Sequence, residues 1–325
     1  MGNTPTLRLF VCVLAGLQIF TTPCPARARG GWDYLLERLI RDGEPRSEIE
    51  AIFTDPRMPP FQKLEFAPER RPEPAGLYRG FLRPQSVAQL RQCWYTYRAE
   101  IEAAERRTGV PGTLLVSLLH VESRCGQNTG GHRILFRLAR LAMAGEPNNL
   151  RWNLALWLDG PRRAADDLAA KLASRARYLE DTFYPEVRAT LELARRWRVD
   201  PLELRGSTAG ALGWPQFLPS SVLRFGRDGN SDGRVDLFDP ADAALSAAEY
   251  LRAHGWTMGA TSDEQRQALW HYNRSRSYGD TLLALHRRLQ PEARPQPSQT
   301  LAATSRASSK RKQAKSPRAH RARPR

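Results

Sequence analysis

The stretch GVPGTLLVSLLHVESRCG, residues 109–126, is an almost uncharged run that closes on a single acid, Glu122. Residues 113–121 are apolar enough, and the run is long enough, to predict a helix that is buried on most of its surface. Pro111 suits the first turn of this helix and Gly126 suits its end. A carboxyl group on the last turn would lie against packed side chains, where loss of water favours the protonated form. We therefore expect Glu122 to keep its proton to higher pH than a surface glutamate does, and to be able to donate it.

A structural role for Glu122 is the alternative. Acids at helix ends commonly cap the helix or pair with a nearby base, here Arg124. For this stretch alone the structural role would be preferred, and it is the rest of the chain that favours a catalytic acid.

The composition is that of a soluble globular protein, with 325 residues, 41% apolar and 26% charged. The net charge of +16 is concentrated near the C-terminus, where residues 291–325 contain ten basic residues and one acid, Glu292. This segment has almost no apolar side chains and is predicted to be a disordered basic tail. The body of the chain has no basic stripe with interleaved aromatic residues, so a nucleic-acid partner is not expected.

The N-terminus predicts export from the cytoplasm. Arg8 precedes an apolar run that ends at Phe20, and the sequence ARA ending at Ala28 offers small residues for cleavage. The run is too short to span a membrane comfortably, so residues 1–28 predict a signal peptide and a periplasmic protein secreted across the inner membrane. An uncleaved N-terminal membrane anchor is the alternative.

The predicted cleavage of the signal peptide also determines which cysteines remain in the mature protein. Removal of the signal peptide removes Cys12 and Cys24 and leaves Cys93 and Cys125. An oxidising compartment permits a disulfide between these two residues. Two buried free cysteines are the alternative.

Helical periodicity dominates the chain, and no segment alternates with period two, so we predict a mainly α fold. An N-terminal helical region is expected over residues 29–110, in which the Pro-rich residues 54–84 form an ordered but irregular wrap along the surface or a flexible link. Residues 86–107 and 269–289 each predict one continuous helix. The second region, residues 111–290, contains the candidate acid.

Two later segments, residues 206–221 and residues 272–278, contain polar side chains with hydrogen-bonding capacity. Residues 206–221, GSTAGALGWPQFLPSS, form a Gly-rich loop through which a ligand could approach the backbone closely. Hydroxyl, phenol and amide groups bind sugar hydroxyl and amide groups well. A surface loop without function is the alternative. The candidate ligand-binding residues are Ser207, Gln216, Tyr272, Asn273 and Tyr278.

Residues 228–239, DGNSDGRVDLFD, match the spacing of a helix–loop–helix calcium site. Oxygen-bearing side chains occupy loop positions one, three, five, nine and twelve, with Gly233 at position six and a backbone carbonyl available at position seven. The predicted ligands are Asp228, Asn230, Asp232, the backbone of Arg234, Asp236 and Asp239. We expect a structural Ca²⁺ and no organic cofactor. The Asp at position twelve is shorter than the usual Glu, and an acidic turn without metal is the alternative.

Several segments together resemble the membrane-bound lytic transglycosylase B family. They are the Glu122 stretch, the Gly-rich loop, the calcium-type loop continuing into LFDPADA, YLRAHGW, and YNRSRSY, in one order over approximately residues 32–289. The resemblance implies a lysozyme-like catalytic core with extra N-terminal helices and an EF-hand-like calcium loop. It also implies a lyase that cleaves the β-1,4 bond between N-acetylmuramic acid (MurNAc) and N-acetylglucosamine (GlcNAc) in peptidoglycan and leaves 1,6-anhydro ends.

The resemblance further implies roles for individual residues. Glu122 falls on the catalytic acid, which acts afterwards as the base, and Ser207 is expected to hydrogen-bond Glu122. The five candidate binding residues fall on positions that line the cleft. Most glycosidases use a second carboxylate, and none is obvious here. The N-acetyl group of MurNAc would then stabilise C1, with Asn273 and Tyr272 as candidates to hold it.

The chain departs from the family pattern after Glu122 and before Gln216. Cys125 stands where an aromatic residue is common, and Trp214-Pro215 stands where Tyr-Gly is usual.

A hydrolytic muramidase and a non-catalytic cell-wall-binding protein are the alternative functions. The expected partners are peptidoglycan glycan strands, with charge-driven contact of the basic tail to the cell wall or membrane surface.

Overall fold

The computed structural model describes residues 30–70, 72–74, 76–158 and 162–293. The predicted signal peptide and most of the predicted basic tail lie outside these residues. Within them, no helix combines the length and the apolar content that a membrane crossing requires.

The described part of the chain is mainly helical, as predicted. A two-stranded antiparallel sheet pairs β1, His132–Arg133, with β2, Arg205–Gly206. A 3₁₀ helix, η1, covers Arg79–Leu82 within the Pro-rich segment. The α-helices are α1 Asp33–Arg41, α2 Arg46–Phe53, α3 Pro84–Thr96, α4 Arg98–Thr108, α5 Gly112–Ser123, α6 Ile134–Leu141, α7 Pro147–Trp157, α8 Arg162–Trp197, α9 Pro219–Phe225, α10 Pro240–Ala253, α11 Ser262–Tyr272 and α12 Arg276–Ala293.

The chain forms two compact units, and each is built from two separate stretches. The first contains the described residues of Met1–Pro68 together with Ala139–Tyr184. The second contains Glu69–Leu138 and the described residues of Pro185–Arg325.

In the first unit, side chains replace the missing sheet partners of an extended segment. The side-chain oxygen of Asn149 accepts the Leu64 N–H at 2.8 Å, and that of Asn153 accepts the Phe66 N–H at 3.1 Å. Both asparagines are fully buried. Buried backbone groups need partners, so these two amides allow Leu64 and Phe66 to enter the core without a sheet.

In the second unit, α5 lies at the centre of the core, as its apolar sequence predicts. Every residue from Gly112 to His120 is buried. The helix contacts α3, α4, α10 and α12, so neighbours cover most of its surface. Only its last turn, which carries Glu122, retains partial exposure.

Two helices predicted as continuous are broken in the structure. Tyr97 separates α3 from α4, and its ring packs edge-on against Trp214 at 4.9 Å between centroids. Asn273 follows α11 in an extended conformation, with φ −143° and ψ 121°. Both predictions of a single helix were wrong. Neither break contains the Gly or Pro that commonly ends a helix, so the local sequence gives no sign of either break.

Candidate active site

Glu122 projects from the last turn of α5 and is partly buried. The Tyr278 hydroxyl donates a hydrogen bond to Glu122 Oε1 at 2.5 Å. Burial raises the pKa of Glu122 from 4.5 to about 7, although the bond from Tyr278 acts in the opposite direction. Among the described residues Glu122 makes no ion pair with Arg124, so the structural alternative of such a pair is not observed.

The turn that follows α5 is tightly constrained. Arg124 and Cys125 both adopt left-handed backbone conformations, with φ of 53° and 54°. Cys125 is bonded to Cys93 of α3, with an S–S distance of 2.07 Å. At Gly126, with φ 81°, an added Cβ would lie 2.2 Å from the Trp214 ring. The two departures from the family pattern, Cys125 and Trp214, therefore both lie at the turn that directly follows α5, the helix that carries Glu122.

Three tyrosines gather beside Glu122. The ring of Tyr278 lies 6.3 Å from Tyr272 in a stacked arrangement and 5.6 Å from Tyr78 in an edge-on one. Burial and the nearby Glu122 raise the pKa of both Tyr272 and Tyr278 well above the usual range. Both phenols therefore stay protonated and can act as hydrogen-bond donors at neutral pH.

The linker between α11 and α12 brings further polar groups to the tyrosines beside Glu122. Asn273 Nδ2 donates to the Tyr78 hydroxyl at 3.3 Å. Ser275 Oγ accepts the Tyr278 N–H at 3.0 Å and donates to Glu73 Oε2 at 2.6 Å. Sequence reasoning missed Tyr78 and Glu73, because both lie in the Pro-rich segment where no periodic pattern marks a functional position.

The Gly-rich loop contributes differently from the expectation. The Ser207 hydroxyl accepts the Ala211 N–H at 3.0 Å, within its own loop. Among the described residues it makes no hydrogen bond to Glu122, so that predicted contact was wrong and Tyr278 takes its place. The loop can close on itself at Gly206 because glycine lacks a Cβ. A Cβ at this position would lie only 2.0 Å from the Ala211 carbonyl oxygen.

Gln216 is connected to the cluster of Tyr78, Tyr272 and Tyr278 through Pro215, the residue before it in the chain. The Tyr272 hydroxyl donates to the Pro215 carbonyl oxygen at 2.5 Å. Gln216 itself has a left-handed backbone, with φ 51°, and its Nε2 donates to the Gly213 carbonyl oxygen at 2.7 Å. The structure thus groups Glu122, Tyr272, Asn273 and Tyr278 directly, attaches Gln216 to them through the chain, and ties Ser207 to its own loop.

In the calcium-type loop, residues 228–239, acidic side chains accept hydrogen bonds from backbone N–H groups, as in a tight turn. The Asp228 carboxylate accepts the N–H groups of Ser231 and Gly233 at 2.6 and 2.8 Å. Asp239, expected as the last ligand, instead caps α10 by accepting the Ala241 N–H at 2.9 Å. The physical reason is that its position is the N-cap of that helix, where a carboxylate satisfies free amides.

Asp242 is the acid that faces into this loop, and sequence reasoning missed it. Its two oxygens accept the Gly229 and Asp236 N–H groups, each at 2.7 Å. The residue is buried, and burial raises its pKa. Within the described residues, no three His, Cys, Asp or Glu side chains come close enough together to hold a metal ion.

Comparison with known proteins agrees with this architecture. A family described as the transglycosylase SLT domain matches residues 29–267. Membrane-bound lytic murein transglycosylase B of Escherichia coli (strain K12) is 34% identical over 179 residues, which are 55% of this chain and 41% of the relative. The match therefore spans less than half the length of that relative.

Solved structures share the fold. The E. coli lytic transglycosylase Slt35 in complex with calcium is 22% identical, with a TM-score of 0.58 over 79% of this chain and 91% of Slt35. SltB3 of Pseudomonas aeruginosa in complex with NAG-anhNAM-pentapeptide is 18% identical, with a TM-score of 0.55 over 78% of this chain and 77% of SltB3. The fold is that of the lysozyme-like lytic transglycosylases. Since the family match covers well over half of the sequence, the chain belongs to the transglycosylase SLT domain family.

Proposed function

We propose that the protein is a lytic transglycosylase that cleaves the β-1,4 bond between MurNAc and GlcNAc in peptidoglycan and leaves 1,6-anhydro-MurNAc ends. The observation that carries this proposal is the pKa of Glu122, about 7, caused by burial and opposed only by the bond from Tyr278. A carboxyl group with a pKa near neutrality can give up and regain a proton at working pH. Glu122 is the proposed catalytic residue, and burial and Tyr278, rather than a second carboxylate of the described residues, shift its pKa.

In the first step, the proton on Glu122 passes to the glycosidic oxygen, the bond from that oxygen to C1 of MurNAc breaks, and the GlcNAc side leaves as an alcohol. The carbonyl oxygen of the MurNAc N-acetyl group supports the charge that develops at C1. Asn273 is the residue proposed to orient this group. Tyr272, the other candidate, already donates its hydroxyl to the Pro215 carbonyl.

In the second step, Glu122 is a carboxylate that accepts the bond from Tyr278. It takes the proton of the 6-hydroxyl of the same MurNAc, and the oxygen of that hydroxyl bonds to C1 and closes the anhydro ring. The nucleophile belongs to the bound sugar, so proximity replaces the need for a positioned water. Glu122 ends the cycle protonated, as it began.

Product analysis tests this function. Purified sacculi digested with the wild type should yield anhydro ends, which are lighter than reducing ends by one water. Glu122→Gln should lower the cleavage rate roughly 10²- to 10⁴-fold, because the amide cannot donate the proton. Unchanged turnover by this variant would instead support the non-catalytic cell-wall-binding protein.

Hydrolysis is the second candidate, and Glu73 is the residue that would favour it. Its carboxylate lies 2.6 Å from Ser275 Oγ. Burial, and after it the charge of Glu73, raises the pKa of Tyr78, so Glu73 is close to the three tyrosines. A muramidase could use such a carboxylate to activate water. Reducing ends from the wild type that disappear in Glu73→Gln would establish hydrolysis in place of ring closure.

We also propose that residues 228–242 bind Ca²⁺ as a structural ion. The alternating oxygen-bearing side chains and the N–H groups bonded to Asp228 support this, as does the calcium complex of Slt35. Asp228, Asn230, Asp232 and Asp242, with the Arg234 carbonyl, are the oxygen ligands we propose. The predicted role of Asp239 as a ligand is less favoured, because its carboxylate caps α10. Asp236, whose Oδ1 accepts the Phe238 N–H at 2.8 Å, stays an additional predicted ligand.

The proposed location is the periplasm, reached through the predicted signal peptide. The relative from E. coli is named membrane-bound, which keeps an N-terminal anchor as the alternative. Glycan strands of peptidoglycan are the proposed partner, and SltB3 was solved with a peptidoglycan fragment. Cell fractionation with and without residues 1–28 distinguishes secretion from anchoring.

A further inference from the structure

A cavity of about 430 Å³ opens on the surface of the hairpin that α11 and α12 form. Both helices contribute side chains to its lining. The lining includes Arg266, Gln267 and Trp270 from α11 and Arg276, Gly279 and Asp280 from α12. We call it the Trp270 cavity.

The Trp270 cavity lies on the side of the hairpin that faces away from Glu122. Neighbouring residues of an α-helix are rotated by about 100°, so Trp270 and Tyr272, two residues apart, point in nearly opposite directions. The same holds for Arg276 and Tyr278 on α12. Because Tyr272 and Tyr278 are the two side chains of these helices that lie beside Glu122, the Trp270 cavity is separate from the Glu122 site.

Trp270 gives the cavity an aromatic wall. All eight tryptophans lie within the described residues, and Trp270, at 43% exposed, is the most exposed of them. Its indole therefore presents a flat apolar face to the cavity instead of to the core. The C–H face of a sugar ring packs well on such a ring, because the indole is rigid and has an electron-rich face.

Charged side chains of both signs surround the indole. Arg266 Nε lies 3.5 Å from Asp280 Oδ1, so one helix supplies donors and the other supplies an acceptor. Gln267 adds an amide that both donates and accepts. The hydroxyl groups of a sugar also donate and accept, so this lining matches a polyhydroxyl ligand better than it matches a simple anion.

Gly279 keeps the cavity open, and the fold itself does not require a glycine there. The residue is buried inside α12 and its φ is not left-handed. An added Cβ would meet only Leu269, at 3.7 Å, which is an ordinary contact. Glycine inside a helix is less favourable than any other residue except proline. The missing side chain is therefore better explained by the space that it leaves for a ligand.

We propose that the Trp270 cavity is a second, non-catalytic glycan site that binds an N-acetylated sugar ring. The ring stacks on Trp270, and its hydroxyl and amide groups bond to Arg266, Gln267 and Asp280. The choice of a glycan as ligand rests on the proposed function. A strand held here keeps the enzyme on its polymer and raises the effective concentration of scissile bonds at Glu122.

Binding of an uncleaved sugar tests the proposal. Chitotriose consists of three GlcNAc units and lacks the MurNAc bond that the proposed reaction breaks. In protein labelled with ¹⁵N-tryptophan, the indole N–H signal of Trp270, assigned by its absence from Trp270→Phe, should shift as chitotriose is added. Gly279→Leu fills the cavity and should raise the dissociation constant measured from this shift at least tenfold. A Trp270 signal that does not move, or that moves equally with inorganic phosphate, would overturn the proposal.

Two controls accompany Gly279→Leu. Its melting temperature should be no lower than that of the wild type, because leucine favours a helix more than glycine does. Gly259→Ala is the matched control, since a Cβ at Gly259 meets no atom within 4 Å and the residue does not line the cavity. Its chitotriose titration should equal that of the wild type.

Kinetics on intact sacculi separates the second site from the reaction. Trp270→Ala should raise KM about tenfold and leave kcat unchanged, because the cavity supplies binding away from the reacting bond. A fall in kcat with unchanged KM would place Trp270 in the reaction itself and overturn the proposal. Anhydro ends from sacculi together with an unmoved Trp270 signal would overturn the second site alone. A chitotriose-dependent shift without any cleavage of sacculi would overturn the proposed function and leave the second site standing.

Discussion

The Tyr278 hydroxyl donates to Glu122 Oε1 across 2.5 Å, and this contact opposes the effect of burial on the same carboxyl group. Burial favours the protonated acid, whereas the phenol stabilises the carboxylate. The balance leaves the pKa at about 7, between the values that either effect alone would give. A group that must act first as an acid and then as a base benefits from such a balance.

Tyr278→Phe tests the balance directly. Loss of the hydroxyl removes the bond that lowers the pKa of Glu122, so this pKa should rise above about 7. The limb of the pH–kcat profile on which Glu122 loses its proton should move to higher pH, and kcat should fall about tenfold to a hundredfold. Tyr184→Phe is the control, because Tyr184 donates to Asp42 in the other compact unit and its loss should leave the limb in place. A limb that stays put or moves to lower pH in Tyr278→Phe would contradict the assigned role.

Glu122→Gln should change how stability depends on pH. The folded-state pKa of about 7 lies above the ordinary glutamate pKa of 4.5, so the native state holds the extra proton between these pH values. Wild-type stability should therefore fall as pH rises from about 4.5 to about 7 and stay lowered above that range. The variant avoids this loss and should be more stable than the wild type at pH 8 by about 2 kcal/mol, a figure reduced from the full shift because Glu122 keeps some solvent contact.

Thermal unfolding at pH 4 and pH 8 checks this result. Glu264→Gln is the control with the opposite sign, since bonds from Thr261 lower the pKa of Glu264. It should lose stability relative to the wild type at pH 8. Equal melting temperatures of wild type and Glu122→Gln at both pH values would show that Glu122 is not desolvated in the fold.

Gly126→Ala should destabilise the protein more than Gly109→Ala. Both glycines have positive φ, 81° and 75°, so both substitutions carry a backbone cost of about 1 kcal/mol. A Cβ at Gly109 meets no atom within 4 Å, whereas one at Gly126 would lie 2.2 Å from the buried Trp214 ring. The expected total at Gly126 is about 3 kcal/mol or more, because overpacking adds to the strain. Urea denaturation measures both, and equal losses would mean that Trp214 moves aside freely.

Calcium should stabilise the protein through residues 228–242. At concentrations near 10 mM, about a hundredfold above a dissociation constant of ~10⁻⁴ M, the gain would be about 2.7 kcal/mol. Asp232→Asn should remove most of the gain, since Asp232 is exposed and supplies one proposed ligand. Asp263→Asn, at an exposed acid outside the loop, should retain it. Calorimetry with calcium and with a chelator makes the comparison, and no shift in the wild type would show an acidic turn without metal.

The sequence by itself determined the features that depend on near neighbours in the chain. The period of apolar residues identified α5 as a buried helix, and the position of Glu122 on its last turn predicted the raised pKa. These predictions hold because helix faces and desolvation follow from residues three or four apart. The Asp and Asn spacing likewise located the acidic turn, although not the residue that faces into it.

Only the tertiary structure decided which distant groups surround Glu122. Tyr278 lies 156 residues away along the chain, and the choice of Tyr278 over Ser207 as hydrogen-bond partner depends on how α12 packs on α5. Tyr78 and Glu73 reach the site from an irregular segment without any periodic signal. The pairing of Cys93 with Cys125 was open for the same reason. Contacts between distant residues depend on the packing of whole elements, and local sequence patterns do not contain that information.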